Sequence, residues 1–282
     1  MADILEVVFR RFASGPVTSD ARLPPDVESN TVVHGDRDSS RCVLFLAAVT
    51  AATDLGLKVL FFTQTPFESL QVSLRGSVPG LKLEALKNVK FVYAKTLEEF
   101  LEDVASLHEL DSPPSLIIVD DLERYLHRSR GGTLQDDLSP VAHVAALLHD
   151  TAAFLTQILH GRGENKGPCK FIVSFYPECD GGERQAADLL LSVLERYLQV
   201  RCTLDEVRGD GVTGQKEWRV YLSATRPLQD QWGVQARQWC LVVQSSGAVE
   251  FRPVIDGEQE IPEEQNISRE EGDVETDNKR LN

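Results

Sequence analysis

Residues 35–42 occupy the position of a phosphate-binding loop and begin with its first glycine. A β-branched run at residues 31–33 precedes Gly35, and an apolar pattern of helical spacing follows Cys42. In such a loop, backbone N–H groups and the positive end of the next helix bind phosphate oxygens, while a lysine reaches the terminal phosphates. The spacing therefore predicts a strand, a loop and a helix arranged for phosphate chemistry.

The loop departs from the pattern G-x-x-x-x-G-K-[ST] at three positions. Ser40 replaces the second glycine, Arg41 replaces the lysine, and Cys42 replaces the hydroxyl that would hold Mg²⁺. Arginine keeps the charge in a bulkier planar group, and a thiol is a poor ligand for a cation that prefers oxygen. Two interpretations stay open: a nucleotide site formed by Gly35, Ser39, Ser40, Arg41 and Cys42, or an ordinary strand-to-helix turn.

A second candidate for nucleotide chemistry lies in residues 115–121, SLIIVDD, an apolar run that ends in two aspartates. In nucleotide sites, a carboxylate at the carboxyl end of a central strand orients Mg²⁺ or its bound water. Asp120 is therefore the candidate magnesium residue, acting through a water molecule. The alternative is an aspartate that merely begins a loop.

The elements that must position these residues follow an alternating pattern. Apolar runs typical of buried parallel strands lie at residues 58–63, 90–94, 115–121 and 170–176. Helical patterns lie at residues 96–110, 140–160 and 186–198. From residue 201 onward, short strands alternate with turns, which is typical of antiparallel hairpins. We predict an α/β fold with a mostly parallel central sheet, helices on both faces and C-terminal antiparallel hairpins.

Composition narrows the class of protein. The 282 residues are 42% hydrophobic, which indicates a globular chain. The five cysteines are scattered and never in C-x-x-C spacing, so we expect neither a disulfide framework nor a structural metal. We find no signal-peptide pattern and no run of 18 apolar residues. We expect a soluble intracellular protein with no membrane association.

The net charge of −15 is unevenly distributed. Residues 256–282 contain ten acidic and three basic residues, so this tail carries −7 of the −15. We expect an acidic disordered tail at 256–282, a core at 29–255 and an N-terminal extension at 1–28. The extension begins with apolar residues at helical spacing, which indicates either a helix packed on the core or a helix that docks on a partner.

One glycine pattern matches a dinucleotide-binding motif in sequence but not in structural context. Gly209, Gly211 and Gly214 form G-x-G-x-x-G, but they lie between two predicted strands with no helix after them. A dinucleotide fingerprint needs a helix whose N-terminus receives the pyrophosphate. We interpret these glycines as part of a hairpin turn.

The order of loop, strands, aspartate strand, basic loop and hairpins resembles the RecA family of strand-exchange recombinases over residues 29–255. Three segments carry a closer resemblance: PSLIIVDDLERYL, HVAALLHDTAAFL and LLSVLERYLQVRCTL. They are similar to the recombinase paralogues of Shu complexes, which pair with a zinc-binding SWIM-domain protein and promote homologous recombination. This resemblance implies a RecA-like P-loop core that binds ATP and Mg²⁺, supports recombinase filaments and works in the nucleus.

The resemblance also implies single-stranded DNA binding by the loops at residues 123–138 and 177–187. The candidate phosphate contacts are Arg124, Arg128, Arg130 and Arg184, and the ring of Tyr125 or Tyr176 is a candidate for stacking on a base. The alternative is that both loops are ordinary solvated basic surface.

The chain departs from the recombinase pattern beyond its phosphate loop. The glutamate that activates water would fall near Thr65, with Glu68 a displaced substitute, and the phosphate-sensing glutamine would fall at Tyr176. Phosphoryl transfer needs several parts acting together. We therefore hypothesise that the chain keeps the fold and binds partners, with nucleotide in a weak structural role or absent. The rivals are a working DNA-stimulated ATPase that uses Arg41 and Asp120, and a protein-only adaptor.

Overall fold

A computed structural model describes residues 4–14, 30–66, 84–126, 134–163, 167–176, 184–207, 215–225 and 237–254. In this part of the chain, nine strands form one sheet. They are β1 (Thr31–His34), β2 (Val59–Phe62), β3 (Val89–Val92), β4 (Leu116–Val119), β5 (Lys170–Ser174), β6 (Val200–Val207), β7 (Lys216–Ala224), β8 (Arg237–Val243) and β9 (Val249–Pro253).

The sheet has the strand order β3-β2-β4-β5-β1-β6-β7-β8-β9. Strands from β3 to β6 pair in parallel, whereas β6 to β9 pair antiparallel. The predicted α/β fold with a mostly parallel sheet and C-terminal hairpins is confirmed, and it is consistent with a RecA-like core. Strands β6 and β7, which flank the glycines at 209–214, pair antiparallel, and the glycines themselves lie outside the described residues.

Six α-helices are described: α1 (Ile4–Arg11), α2 (Arg37–Thr53), α3 (Leu97–Ala105), α4 (Leu122–Tyr125), α5 (Leu134–Gly161) and α6 (Arg184–Leu194). They cover both faces of the sheet. Leu116 and Ile118 of β4 belong to the core that contains α1 and α2. Ile117 and Val119 point the other way, into the core that contains α3, α5 and α6. This alternation explains why the β4 run is apolar at every position.

Helix α1 packs on the sheet instead of standing apart from it. The ring of Phe9 lies 4.6 Å from that of Phe251 and 5.8 Å from that of Trp239, measured between centroids. Ala13 then forms a parallel bridge with Phe251 at the outer edge of β9. Residues 4–14 therefore share the core with the sheet, as the packed-helix alternative predicts.

Helix α5 contains a stretch, Leu138–Gly161, that is long and apolar enough by length and composition to cross a bilayer. One side of this stretch is buried against the sheet through Val141, Val144, Leu148, Leu155 and Leu159. Packing in the core of the domain therefore explains the apolar residues of this side, whereas Phe154 of the same helix is 45% exposed.

Candidate functional site

The candidate residues meet at one edge of the sheet. Gly35 follows β1, Thr63 follows β2, Asp120 follows β4, and Ser174 is the last residue of β5. Since these four strands are parallel neighbours, their carboxyl ends lie together. The sequence analysis named Gly35 and Asp120 as candidates for nucleotide chemistry, and the structure places both at this edge.

The connection between β1 and α2 is short. Helix α2 already begins at Arg37, with Asp36 as its N-cap residue. The Asp36 carboxylate accepts hydrogen bonds from the backbone N–H groups of Asp38 and Ser39, each at 3.0 Å. Residues 37–42, which a phosphate loop would hold open, are helical here. Two backbone donors at the start of the helix, those of Asp38 and Ser39, therefore already have an acceptor within the chain.

Gly35 has a packing role that is independent of phosphate. A Cβ atom at this position would lie 2.5 Å from Cβ of Leu204 and 3.1 Å from its carbonyl oxygen. Because β1 pairs directly with β6, only a residue without a side chain fits there. The glycine that carried the loop prediction is thus explained by the close approach of two strands.

Arg41 lies on the first turns of α2, and its guanidinium extends toward the end of β2. Its Nη2 donates to the carbonyl oxygens of Thr65 and Pro66, the latter at 3.2 Å. Its Nε lies 3.6 Å from Oδ2 of Asp120. The side chain is buried, with 8% of the residue exposed. Arg41 therefore joins α2 to the ends of β2 and β4.

The three other loop candidates point into the protein. Ser39 and Ser40 are buried, and the Ser39 hydroxyl donates to the Asp36 carboxylate. Burial raises the pKa of the Cys42 thiol to about 12, with a further contribution from the Asp36 charge. A buried, protonated thiol is unsuited to hold Mg²⁺.

Asp120 is almost completely buried, at 1% exposure. Its Oδ2 accepts a hydrogen bond of 2.9 Å from the Thr63 hydroxyl, and its Oδ1 accepts a longer one of 3.5 Å from Ser174. Burial raises the pKa of Asp120 to about 6, and the Asp121 carboxylate adds to this rise. Arg41 and the two hydroxyl donors act in the opposite direction. The carboxylate is thus held by groups of the chain itself.

Asp121 has a left-handed backbone conformation, with φ of 56°. For a residue with a Cβ atom this conformation is uncommon, although aspartate tolerates it better than most. Its Oδ2 lies 2.8 Å from Nε of Arg37 and 3.9 Å from an Nη of Arg124. Its N–H donates to Ser174 at 2.8 Å. These contacts on both sides hold the turn between β4 and α4.

Glu123 is a site residue that the sequence analysis did not single out. Its Oε2 accepts a hydrogen bond of 3.1 Å from the backbone N–H of Tyr176. Burial and the neighbouring Asp121 carboxylate raise the pKa of Glu123 well above its ordinary value. Glu123 therefore fixes the end of β5 to α4. Its partner lies 53 residues away in sequence, so no local pattern identifies this contact.

These contacts do not fit a bound triphosphate and Mg²⁺ as the sequence pattern arranges them. The helix N-terminus is capped by a carboxylate, Arg41 is directed to backbone carbonyls, and Cys42 is a buried thiol. Among the described residues, no three His, Cys, Asp or Glu side chains form a group that could hold a metal ion. The nucleotide and magnesium roles of Gly35, Arg41 and Asp120 stay predictions.

The predicted DNA contacts are only partly within the described residues. Arg124 is half-exposed beside the site, where its Nη1 donates to the Thr65 hydroxyl at 2.8 Å. Arg128 and Arg130 lie outside the described residues, as does Glu68. Arg184 is the first residue of α6, and its side chain also lies outside the described part.

The two candidate stacking rings differ in accessibility. Tyr125 is 2% exposed, and its ring lies 4.9 Å from that of Phe100 in the core. Tyr176 is 39% exposed at the end of β5. Only the ring of Tyr176 is therefore open to a base in this conformation, and its DNA role stays a prediction.

Comparisons with known proteins give two relatives that bear the same name. The chain is 30% identical over 217 residues to ATPase SWSAP1 of Homo sapiens, covering 75% of this chain and 82% of that protein. It is 34% identical over 169 residues to ATPase SWSAP1 of Mus musculus, covering 60% of this chain and 55% of that protein. The match thus spans about half of the mouse protein. No protein-family model matches the chain.

Proposed function

Because the chain belongs to the family of ATPase SWSAP1, we propose that it is a recombinase-paralogue subunit that supports homologous recombination repair. In this proposal it acts in the nucleus, within a Shu-type complex that contains a SWIM-domain zinc protein and assists the recombinase. It works by assembly and by contact with single-stranded DNA, and ATP turnover is weak or lost. The RecA-like sheet and the family membership support this function.

One observation carries the nucleotide part of the proposal. The Arg41 guanidinium, at the position of the phosphate-binding lysine, is buried against two backbone carbonyls and lies 3.6 Å from Asp120. A cation that is to stabilise transferred phosphate must be directed at the substrate. The predicted lysine substitute and the predicted magnesium residue instead interact with each other, which favours a structural use of the site.

A second candidate is a working DNA-stimulated ATPase, with Arg41 as the phosphate ligand and Asp120 holding Mg²⁺ through water. The printed name of both relatives, ATPase SWSAP1, favours it. It requires Arg41 to leave the carbonyls of Thr65 and Pro66 when nucleotide binds. A third candidate is an adaptor that binds only protein.

Binding of a fluorescent single-stranded oligonucleotide tests the proposal. The full chain with its SWIM-domain partner is titrated at two salt concentrations, with and without ATP and Mg²⁺. We expect affinity that falls steeply with salt, because phosphate contacts release counterions, and that is the same without ATP. Arg128→Ala with Arg130→Ala should weaken binding, whereas Arg162→Ala, an exposed arginine at the end of α5, should not.

Each alternative gives a different result. DNA binding that requires ATP would contradict nucleotide-independent assembly and favour the ATPase. Retained partner binding without DNA binding would favour the protein-only adaptor. Unchanged DNA affinity in the variant with both Arg128→Ala and Arg130→Ala would show that these arginines do not contact DNA.

A further inference from the structure

We propose that Asp36 is an internal anion that takes the place of a phosphate group, so that the chain's own carboxylate closes the nucleotide site. The inference deepens the proposed function and rests on it. According to this inference, the Asp36 side chain alone explains why the predicted phosphate site has a structural role. Asp36 lies inside the sequence pattern, at a position where that pattern specifies no residue type.

Four donors converge on the Asp36 carboxylate. Oδ1 accepts from the backbone N–H groups of Asp38 and Ser39, each at 3.0 Å. Oδ2 accepts from the Ser39 hydroxyl and, at 2.7 Å, from the indole Nε1 of Trp218. Backbone N–H groups at a helix N-terminus are the donors that bind phosphate in nucleotide sites. Here a carboxylate of the chain uses them.

The position of Asp36 is fixed from two sides. Gly35 is confined by Leu204 of β6, where any Cβ atom would clash. Trp218 is 3% exposed on β7, two strands away from β1. The antiparallel extension of the sheet thus supplies one of the four donors. The carboxylate is therefore held by β1, α2 and β7 together, and not by a local cap alone.

The nearby cations are directed toward other carboxylates of the chain. Nε of Arg37 lies 2.8 Å from Asp121, and Nε of Arg41 lies 3.6 Å from Asp120. A triphosphate entering this edge would meet the negative charge of Asp36 with both arginines engaged elsewhere. Like charges at such short range disfavour binding strongly in a partly buried site.

Calorimetric titration with ATP tests the inference, using the full chain with and without Mg²⁺. Asp36→Gly removes the carboxylate and leaves an acceptable N-cap residue, so the N–H groups of Asp38 and Ser39 become available. We expect ATP affinity to rise by about tenfold or more, because the freed N–H groups can donate to phosphate and one hydrogen bond to a charged group is worth roughly tenfold in affinity. Asp36→Asn keeps the cap and removes the charge, and it should give a smaller rise.

The matched control is Asp150→Asn, which makes the same change of charge on an exposed side chain of α5. Its ATP affinity should equal that of the wild type. Thermal unfolding checks that each variant is folded. If Asp36→Gly is not folded, the ATP affinity of Asp36→Asn tests the inference. Affinity that stays at the wild-type value in folded Asp36 variants, or that rises equally in Asp150→Asn, would overturn the inference.

This outcome is distinguishable from failure of the proposed function. If the wild-type chain binds and hydrolyses ATP, the proposed function with weak or lost ATP turnover is contradicted, whatever the ATP affinity of the Asp36 variants. If the wild type does not bind ATP and the Asp36 variants do not gain ATP affinity, the proposed function is retained and the proposed role of Asp36 is contradicted.

Discussion

At the scale of single residues, the site is a set of carboxylates and arginines that lie within ion-pair distance of one another. Asp120 is paired with Arg41, and Asp121 lies between Arg37 and Arg124. Such buried groups are costly to leave unpaired and gain little over apolar packing when paired. Their arrangement therefore fixes the relative positions of the strand ends and contributes little to stability.

The raised pKa of Asp120 makes a prediction for stability against pH. Folding raises the pKa from 3.8 to about 6, so the folded chain binds the proton more tightly than the unfolded chain. The favourable contribution is complete below pH 3.8 and is lost as pH rises to about 6. Asp120→Asn should remove this dependence, a difference of about 2–3 kcal/mol between the ends of the window.

Chemical denaturation at a series of pH values measures this difference. The wild type should lose stability relative to Asp120→Asn as pH rises through the window, whereas the exposed Asp38→Asn should run parallel to the wild type. The pKa of Glu123 is raised in the same direction, so Glu123→Gln should remove a further loss of stability at higher pH. Parallel curves for Asp120→Asn and wild type would contradict a net unfavourable burial of the charged Asp120 carboxylate.

At the scale of elements, the turn between β1 and α2 decides what the site is. A phosphate loop needs an open turn of several residues, whereas here only Gly35 and Asp36 separate the strand from the helix. The close contact of Gly35 with Leu204 brings β1 against β6 at the point where the chain turns. The turn is thus shaped by strand packing.

Gly35→Ala tests this explanation of the glycine. The added methyl group would meet Leu204 Cβ at 2.5 Å, and that atom cannot move without its strand. We expect a loss of about 2 kcal/mol in the free energy of unfolding, as for other overpacked positions. Gly161→Ala is the control, because nothing lies within 4 Å of a Cβ atom there, and its stability should change by less than about 1 kcal/mol. Equal stabilities in the two variants would show that Gly35 is not confined.

The elements were largely predictable from the sequence, and the site only in part. Apolar runs such as residues 115–119 identified the buried strands. The helical pattern predicted from residue 96 agrees with α3, where the Thr96 hydroxyl accepts from the Glu99 N–H. The role of Asp36 was not predicted. An aspartate before a helix is equally typical of a loop and of a cap, and the donor that distinguishes them, Trp218, lies 182 residues away.

At the scale of the whole molecule, the chain combines a RecA-like sheet with a strongly acidic charge. Of its net charge of −15, residues 256–282 carry −7, outside the described residues. Long-range attraction of DNA by the whole chain is therefore not expected, and in the proposed function any DNA contact would depend on local arginines and on the proposed partner. This is the physical reason why the proposed function is that of a subunit and not of an independent enzyme.

The most direct test of this account is steady-state ATP turnover by the full chain together with the proposed SWIM-domain partner, with and without single-stranded DNA. Wild type is measured beside Arg41→Ala and Asp120→Ala. The account predicts no turnover above the protein-free rate in any sample, while the wild-type complex still binds DNA. DNA-stimulated turnover in the wild type that is lost in both variants would contradict it, because Arg41 and Asp120 would then act on nucleotide.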